Sequence, residues 1–370
     1  MVLASHVEPF TMSASLPLPM STPVHVHRPD IAAHALGVDY VHVTASTAED
    51  VRALLEADTL AVFGFGGDAP HLDDPRYLRV PLQPWGVAPL ERWRAAGPVR
   101  HGRTRDASGV EIRWATDGRL SFGVIEIDER PGADLDRHGD IREAADLTYA
   151  ALVRFLHGSD TPHLLRVWNY LDAITLGDGD DERYRRFCVG RAHGLGAFDP
   201  LGLPAATAIG RCDGQRTLQV YWLSATERGT PVENPRQVSA YRYPRQYGPQ
   251  PPSFARAMLP PPGSHMPLLL SGTASVVGHA SQHVGELRGQ IRETFLNFDA
   301  LLAEARRHDP DLPAEFGAGT RLKVYVRDAE DLPHVAQALD ERFGDTVPRL
   351  ILHAAICRSE LAVEIDGVHG

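Results

Sequence analysis

The sequence lacks long apolar runs, and it contains only three cysteines and one lysine, Lys323. A transmembrane helix needs about 20 consecutive apolar residues, so we expect a soluble protein with no membrane partner. The cysteines Cys188, Cys212 and Cys357 are odd in number and far apart. This spacing fits neither a disulfide framework nor a zinc site, and it favours a reducing, cytoplasmic location.

An excess of basic charge and the common phosphate-binding motifs are also missing. The net charge is −11, whereas proteins that bind nucleic acid through its phosphates need a basic surface. There is no P-loop, no strand–GxGxxG–helix pattern and no GxSxG elbow. The histidines do not form a convincing set of metal ligands. We therefore predict neither a nucleic-acid partner nor a metal site.

The order of sequence patterns is clearest in the C-terminal part of the chain. LLLSGTASVV, from Leu268, predicts a buried strand, and Ser281 is the expected cap of a long amphipathic helix. RLKVYVRD predicts a strand and DAEDLPHVAQALDERFG a second helix. PRLILHAAIC and ELAVEIDG close the chain as two strands. The predicted order is strand, helix, strand, helix, strand, strand.

An earlier part of the chain has the same order, from RLSFGVIEID through RVWNYL and PAATAIG to TLQVYWLSA. This repetition predicts an internal duplication. The expected fold is α/β (α+β), with two fused halves, each a mixed β-sheet covered on one face by two helices. We place a flexible leader at residues 1–28, an N-terminal domain at 29–228 and a C-terminal domain at 229–370.

The connection between the halves contains PVENPRQVSAYRYPRQYGP, residues 231–249, which mixes arginines and tyrosines with four prolines. Guanidinium groups match carboxylates with two parallel hydrogen bonds, and tyrosines add hydroxyl donors and flat apolar faces. The segment therefore suits a small ring-shaped anion with more than one carboxylate. The alternative is a surface loop whose arginines are solvated.

Glu364 lies between Val363 and Ile365 in an otherwise apolar strand. On strict alternation its side chain points away from both neighbours. A carboxyl group short of water has a raised pKa and can act as a general acid near neutral pH. The alternative is a solvent-facing glutamate on an edge strand. If the last two strands pair as a hairpin, Cys357 and Glu364 could share a face.

Other strands carry further candidate residues. Arg166 begins RVWNYL and is expected either to form a salt bridge or to face a site between the halves. Gly272 within a strand indicates a bulge or a close approach by backbone or ligand. Its neighbour Thr273 offers a hydroxyl group.

Taken together, RVWNYL, ERYRRFCVGRA, PAATAIG, the connecting segment, LSGTAS and ICRSELAVEIDG resemble the chorismatase family over about residues 165–367. The C-terminal third also resembles the RidA (YjgF) fold. The resemblance implies two RidA-like halves, the N-terminal one degenerate, with the site between them. A monomer is expected from the fused halves, and a trimer is the alternative because RidA proteins trimerise.

The resemblance also implies an activity: chorismate is converted, without a cofactor, to 3-hydroxybenzoate and pyruvate, with 4-hydroxybenzoate as a candidate second product. Glu364 would protonate the enolpyruvyl group, and Arg166, Tyr241 and Arg245 would bind the carboxylates. Thr273 joins them as a candidate substrate-binding residue.

Gly272 and Cys357 match the hydroxybenzoate-forming pattern, since hydrolytic members of the family tend to carry alanine at these places. Two alternatives stay open. One is a chorismate hydrolase that gives a dihydroxycyclohexadiene carboxylate and pyruvate. The other is a RidA-like imine deaminase or ligand-binding module.

Overall fold

The computed structural model of the chain describes residues 36–43, 46–129, 141–196, 199 and 202–370. The predicted leader at residues 1–28 lies outside these ranges. Within them the chain forms five helices and twenty strands. The helices are α1 (Ala48–Leu54), α2 (Ile141–His157), α3 (Arg183–Leu195), α4 (Leu287–His308) and α5 (Leu332–Phe343). The strands are β1 (Leu36–Val41), β2 (Thr59–Phe65), β3 (Tyr77–Val80), β4 (Gln83–Pro84), β5 (Leu90–Ala95), β6 (Arg100–Arg105), β7 (Glu111–Thr116), β8 (Leu120–Asp128), β9 (His163–Asp172), β10 (Ala205–Arg211), β11 (Thr217–Ala225), β12 (Thr230–Val232), β13 (Ala257–Leu259), β14 (Leu268–Ala274), β15 (Val276–Val277), β16 (Ala280–Ser281), β17 (Arg321–Val326), β18 (Arg349–His353), β19 (Ala355–Ile356) and β20 (Val363–His369).

The N-terminal half is built on a sheet with the strand order β19-β10-β9-β11-β8-β7-β6. β9 and β10 are parallel, while β9 and β11 are antiparallel, so the sheet is mixed. Successive side chains of a strand point to opposite faces. Val167 and Leu171 of β9 therefore pack in the core beneath α2 and α3, whereas Trp168 and Tyr170 belong to a core on the opposite face.

The C-terminal half repeats this arrangement in a sheet with the order β12-β13-β14-β20-β17-β18-β4. β17 and β18 are parallel, and β20 runs antiparallel to β17. Val324 and Ile365 pack with α4 and α5 on one face. The predicted α/β fold, with two halves that each have a mixed sheet covered on one face by two helices, is confirmed.

The faces that the helices leave uncovered meet in a central core. Tyr221 of the first sheet and Tyr325 of the second are both fully buried there. A separate four-stranded sheet, with the order β1-β5-β2-β3, contributes Phe63 and Trp93 to the same core. Polar groups packed among the side chains of this central core are therefore removed from water.

The start of the long C-terminal helix differs from the prediction. α4 begins at Leu287, with Glu286 at its cap. Ser281 instead lies in β16, and its hydroxyl donates to Glu360 Oε1 at 2.7 Å. The reason is local backbone geometry: His283 and Gly285 both have positive φ, at 54° and 80°, which a continuous right-handed helix does not allow.

The last two strands do not pair as a hairpin. β19 joins the N-terminal sheet beside β10, while β20 lies between β14 and β17 in the C-terminal sheet. In the opposite direction, β4 from the N-terminal part of the chain joins the C-terminal sheet, where it pairs with β18. The proposed boundary between residues 228 and 229 therefore separates two halves that share strands.

Candidate active site

A cavity of about 370 Å³ opens between the two halves. Its walls come from α3, from β10 and β14, from the connection between the halves, and from residues 357–364 that link β19 to β20. The lining includes four arginines and four aromatic side chains: Arg185, Arg191, Arg256, Arg358, Tyr184, Tyr243, Tyr247 and Phe254. This composition suits an anion with a flat apolar body.

Glu364 lines this cavity while only 6% of its surface is exposed. The alternation of β20 places Val363 and Ile365 in the helix-covered core and turns Glu364 the other way, as the sequence predicts. Burial raises the pKa of the Glu364 carboxyl to about 8, and the nearby carboxylate of Asp366 adds to the shift. Glu364 is therefore largely protonated at pH 7 and can donate a proton.

Gly272 is opposite this carboxyl group on β14. A Cβ atom at position 272 would lie 2.0 Å from Glu364 Oε1, inside any van der Waals contact. The strand is irregular here, and the Gly272 amide donates to Thr207 Oγ1 at 3.0 Å. Only glycine leaves room for the acid in this position.

Cys357 lines the cavity next to the end of β19. Burial raises the pKa of its thiol, and the Glu364 carboxyl raises it further. The sulfur is therefore a neutral thiol rather than a thiolate nucleophile at neutral pH. The thiol is a small, weakly polar group in the cavity wall near Glu364.

Arg191 is a cavity-lining cation with unused hydrogen-bond donors. It is 3% exposed, and among the described residues neither Nε nor Nη2 has a hydrogen-bond partner. Its guanidinium lies 5.1 Å from the ring centre of Tyr149. A buried guanidinium with unused donors is costly unless an anion satisfies it.

Two further arginines are fixed by protein contacts. Arg256 donates to Val238 O at 3.0 Å and to Tyr243 Oη at 2.7 Å. Arg358 donates to the backbone oxygen of His279 at 2.9 Å, and its guanidinium stacks 4.1 Å from the Tyr247 ring centre. Both are preorganised, so binding an anion costs them little conformational entropy.

Comparison with known proteins identifies the family. A chorismatase from Streptomyces hygroscopicus is 35% identical over 285 residues, which cover 75% of this chain and 78% of that protein. The chain belongs to the chorismatase family. A 3-hydroxybenzoate synthase from the same species is 36% identical over 291 residues, covering 75% of this chain and 80% of that one. The family model for the N-terminal part of FkbO/Hyg5-like chorismatases matches residues 91–224.

A crystal structure of a chorismatase superposes with a TM-score of 0.75 and 30% identity, covering 91% of this chain and 99% of that one. The predicted resemblance to chorismatases is confirmed. The residues that the resemblance nominated as the chorismatase site are only partly brought together. Glu364, Cys357 and Gly272 all line the cavity.

Arg166, Tyr241, Arg245 and Thr273 are not among the cavity-lining residues. Arg166 lies behind the cavity, fully buried, and pairs with Asp366 at 3.1 Å. The Thr273 hydroxyl donates to its neighbour Ser271 O at 3.1 Å. Substrate-binding roles for these residues stay predictions.

The connecting segment presents different residues from those nominated. Ala240–Arg242 and Arg245–Tyr247 form short 3-10 turns, which rotate Tyr243 and Tyr247 to the cavity wall. Arg245 is exposed and pairs with Asp180, with Nη1 2.8 Å from Oδ1. Both terminal nitrogens of the Arg245 guanidinium therefore already donate to the Asp180 carboxylate.

No cluster of three or more His, Cys, Asp or Glu side chains suited to a metal ion occurs in the part of the chain that the structure describes. Across the same ranges no helix is long and apolar enough to span a membrane.

Proposed function

We propose that this protein converts chorismate to 3-hydroxybenzoate and pyruvate, with Glu364 as the proton donor. The observation that carries the proposal is a buried, protonated carboxyl group inside an arginine-lined cavity of a chorismatase-family chain. The similarity to a 3-hydroxybenzoate synthase supports the choice of product. A further product, 4-hydroxybenzoate, is a finer proposal that product analysis tests.

Chorismate is a cyclohexadiene with a ring carboxylate, a hydroxyl group and an enolpyruvyl ether that bears a second carboxylate. Arg191, Arg256 and Arg358 supply three guanidinium groups for these two negative charges. Tyr247 offers a flat face for the ring. Fixed cations of this kind position the substrate as well as binding it.

The first chemical step adds the Glu364 proton to the methylene carbon of the enolpyruvyl group. The methylene carbon becomes a methyl group, and the neighbouring carbon and the ether oxygen share the positive charge that develops. The oxygen of the ring hydroxyl then bonds to the ring carbon that carries the ether. The bond between that carbon and the ether oxygen breaks, its electrons form the keto group of pyruvate, and pyruvate leaves. The hydroxyl proton returns to Glu364, and the resulting arene oxide rearomatises to 3-hydroxybenzoate. No water is consumed.

The decisive experiment mixes purified protein with chorismate in water enriched in oxygen-18 and analyses the products. We expect pyruvate and aromatic 3-hydroxybenzoate whose hydroxyl oxygen comes from the substrate. Formation of the dihydrodiol together with pyruvate would instead establish the hydrolase. No pyruvate from chorismate, combined with hydrolysis of 2-aminoacrylate, would establish the imine deaminase.

Cys357 is expected to keep water from the reacting carbon. In Cys357→Ala the lost thiol leaves space near Glu364, and part of the product should become dihydrodiol. The ratio of dihydrodiol to hydroxybenzoate, read by chromatography, checks this. Cys212→Ala is the matched control, since Cys212 does not line the cavity. Equal ratios in all three proteins would remove Cys357 from the mechanism.

Arg191 is expected to hold one substrate carboxylate. A hydrogen bond to a charged group is worth about 1.5–3 kcal/mol, so Arg191→Met should raise KM roughly tenfold to a hundredfold. Steady-state kinetics with chorismate measure the change. Arg307→Met is the control, because Arg307 pairs with Glu304 on the surface of α4. An unchanged KM would mean that the carboxylates bind elsewhere.

A cytoplasmic location and a monomeric state are further parts of the proposal. Cys188, Cys212 and Cys357 are all free thiols, which supports a reducing compartment. The cavity takes its walls from both halves of one chain, so a second copy is not needed to complete it. Light scattering of the purified protein would separate a monomer from a trimer.

A further inference from the structure

Asp366 is a buried carboxylate that the reaction above does not use. It follows Glu364 by two residues on β20, so both side chains leave the strand on the same face. Its Oδ2 atom accepts four hydrogen bonds, from Thr207 Oγ1 (2.7 Å), Tyr325 Oη (2.9 Å), Trp168 Nε1 (3.0 Å) and Arg166 Nη2 (3.1 Å). Four donors on one oxygen indicate the ionised form.

A chain of hydroxyl groups leads from Asp366 into the central core. Tyr325 Oη lies 3.1 Å from Tyr170 Oη, which lies 3.1 Å from Tyr221 Oη. Lys323 Nζ, 2% exposed, is 3.3 Å from Tyr221 Oη and 3.2 Å from Glu91 Oε2.

The direction of this chain follows from its ends. The Tyr325 proton goes to Asp366, so Tyr325 accepts from Tyr170, and Tyr170 in turn accepts from Tyr221. The ammonium group of Lys323 donates to Tyr221 and has no lone pair to accept with. Every hydroxyl dipole therefore points its proton towards Asp366, and such chains strengthen each bond along them.

Asp366 is also tied to the geometry of the acid. Thr207 uses its single proton on Asp366, so its oxygen is left to accept the Gly272 amide at 3.0 Å. Gly272 is the residue that the Glu364 carboxyl packs against. Asp366 thus affects Glu364 in two ways. Its charge acts through space, and its hydrogen bond to Thr207 helps to hold Gly272, which the Glu364 carboxyl packs against.

We propose that Asp366 is a positioning residue of the reaction, a fixed negative charge that keeps Glu364 in its neutral, proton-donating form. This rests on the proposed role of Glu364. The hydroxyl chain from Lys323 stabilises the ionised form of Asp366 without contacting the substrate.

The charged and titratable groups that act on Glu364 have opposing effects. Asp366 opposes its ionisation, whereas the guanidinium groups of Arg166, Arg256 and Arg358 favour it. Arg166 forms a salt bridge with Asp366, so the negative charge of Asp366 counteracts the effect of the Arg166 charge on the Glu364 pKa. Cys357 and Tyr184 also face Glu364, and burial raises the pKa of both, which leaves them neutral at pH 7.

The variant Asp366→Asn removes the charge with little change of shape. Among the described residues Oδ1 has no hydrogen-bond partner, so an amide nitrogen can occupy that place while the amide oxygen keeps the four donors. The neutral side chain leaves Arg166 without its counter-charge, and Glu364 ionises more easily. Since the acid works only when protonated, we expect kcat to fall to half at a pH at least one unit lower than in wild type.

A pH profile of kcat between pH 5 and 9 tests this. At pH 8 Asp366→Asn should be at least about fivefold slower, because a pKa that drops by one unit from about 8 lowers the protonated fraction of Glu364 from about one half to about one eleventh, while its rate at pH 5.5 stays near wild type. A uniform loss at every pH, with the half-point unmoved, would reduce Asp366 to a structural residue and overturn the proposal. Tyr325→Phe, which removes one donor and keeps the charge, is the control and should leave the half-point near the wild-type value.

A titration without substrate separates this proposal from the proposed function. Carbon-13 NMR of glutamate-labelled protein, with the Glu364 signal assigned by its loss in Glu364→Gln, follows the carboxyl directly. We expect the Glu364 midpoint to move down in Asp366→Asn. If wild type releases no pyruvate yet the midpoint moves, the proposed function fails, while the effect of Asp366 on the Glu364 carboxyl is upheld. An unmoved midpoint overturns the inference whatever the enzyme does.

Discussion

Glu364→Gln is expected to release pyruvate from chorismate about a thousandfold more slowly than wild type, since general acids contribute roughly 10²–10⁴ to a rate. The amide has almost the same shape but donates no proton to carbon. Chorismate binding should persist, because the arginines of the cavity are untouched. A coupled lactate dehydrogenase assay measures pyruvate, and calorimetry measures binding. Turnover near the wild-type value would show that another group supplies the proton.

The same variant should be more stable than wild type at alkaline pH. In the folded protein the Glu364 pKa is about 8, against an ordinary value of 4.5. Between these values the unfolded chain loses the proton and the folded chain keeps it, so each pH step upwards favours unfolding.

Glutamine removes this penalty, worth on the order of 3 kcal/mol at pH 8 after allowance for relaxation of the site. Thermal unfolding of the two proteins should therefore coincide near pH 4 and separate by pH 8, with Glu364→Gln the higher. Coincident curves over the whole range would mean that Glu364 is ionised in the folded protein and is not the acid.

Gly272→Ala is the second change with a large expected effect. Its Cβ would lie 2.0 Å from Glu364 Oε1, so the carboxyl must move. A displacement of about 1 Å at a reacting group can cost a hundredfold in rate, and we expect hydroxybenzoate formation to fall by at least about tenfold. Water can then compete for the ring carbon, and dihydrodiol should appear.

Gly317→Ala is the matched control, because a Cβ at position 317 meets no atom within 4 Å. Product chromatography at equal enzyme concentration separates lost rate from changed product. A Gly272→Ala enzyme with wild-type rate and product ratio would show that the carboxyl adapts without consequence, and glycine would then not determine the product.

The sequence predicts the acid well because strand alternation is a local property. Val363 and Ile365 fix the face of β20 that meets the helices, and Glu364 must then point the other way. The same alternation carries Asp366 to the inner face, where only the folded structure reveals its four donors.

The anion-binding arginines could not be found in this way. α3 contains four arginines, and which of them reach the cavity depends on how the helix packs on its sheet. Arg183 is buried against Glu129, whereas Arg191 lines the cavity. In the connection, irregular 3-10 turns replace any simple period, so no sequence pattern shows that Tyr243 and Tyr247 reach the cavity wall.

The four-stranded sheet of residues 36–95 was also beyond sequence analysis. Two of its strands, β2 and β5, are buried along their whole length, so they lack the alternation that marks a half-exposed strand. β4 and β19 have two residues each, too few for a pattern. Their pairing is decided by neighbours that are distant in sequence.

Those two short strands have a consequence for how the protein comes apart. Because β19 completes the sheet of one half and β4 completes the sheet of the other, cutting the backbone in the proline-rich turn at residues 260–263 would leave two fragments interlocked rather than released. Such a nicked protein should migrate as one particle and retain its catalytic centre. Each sheet therefore depends on a strand from the other half, so neither half has a complete sheet by itself.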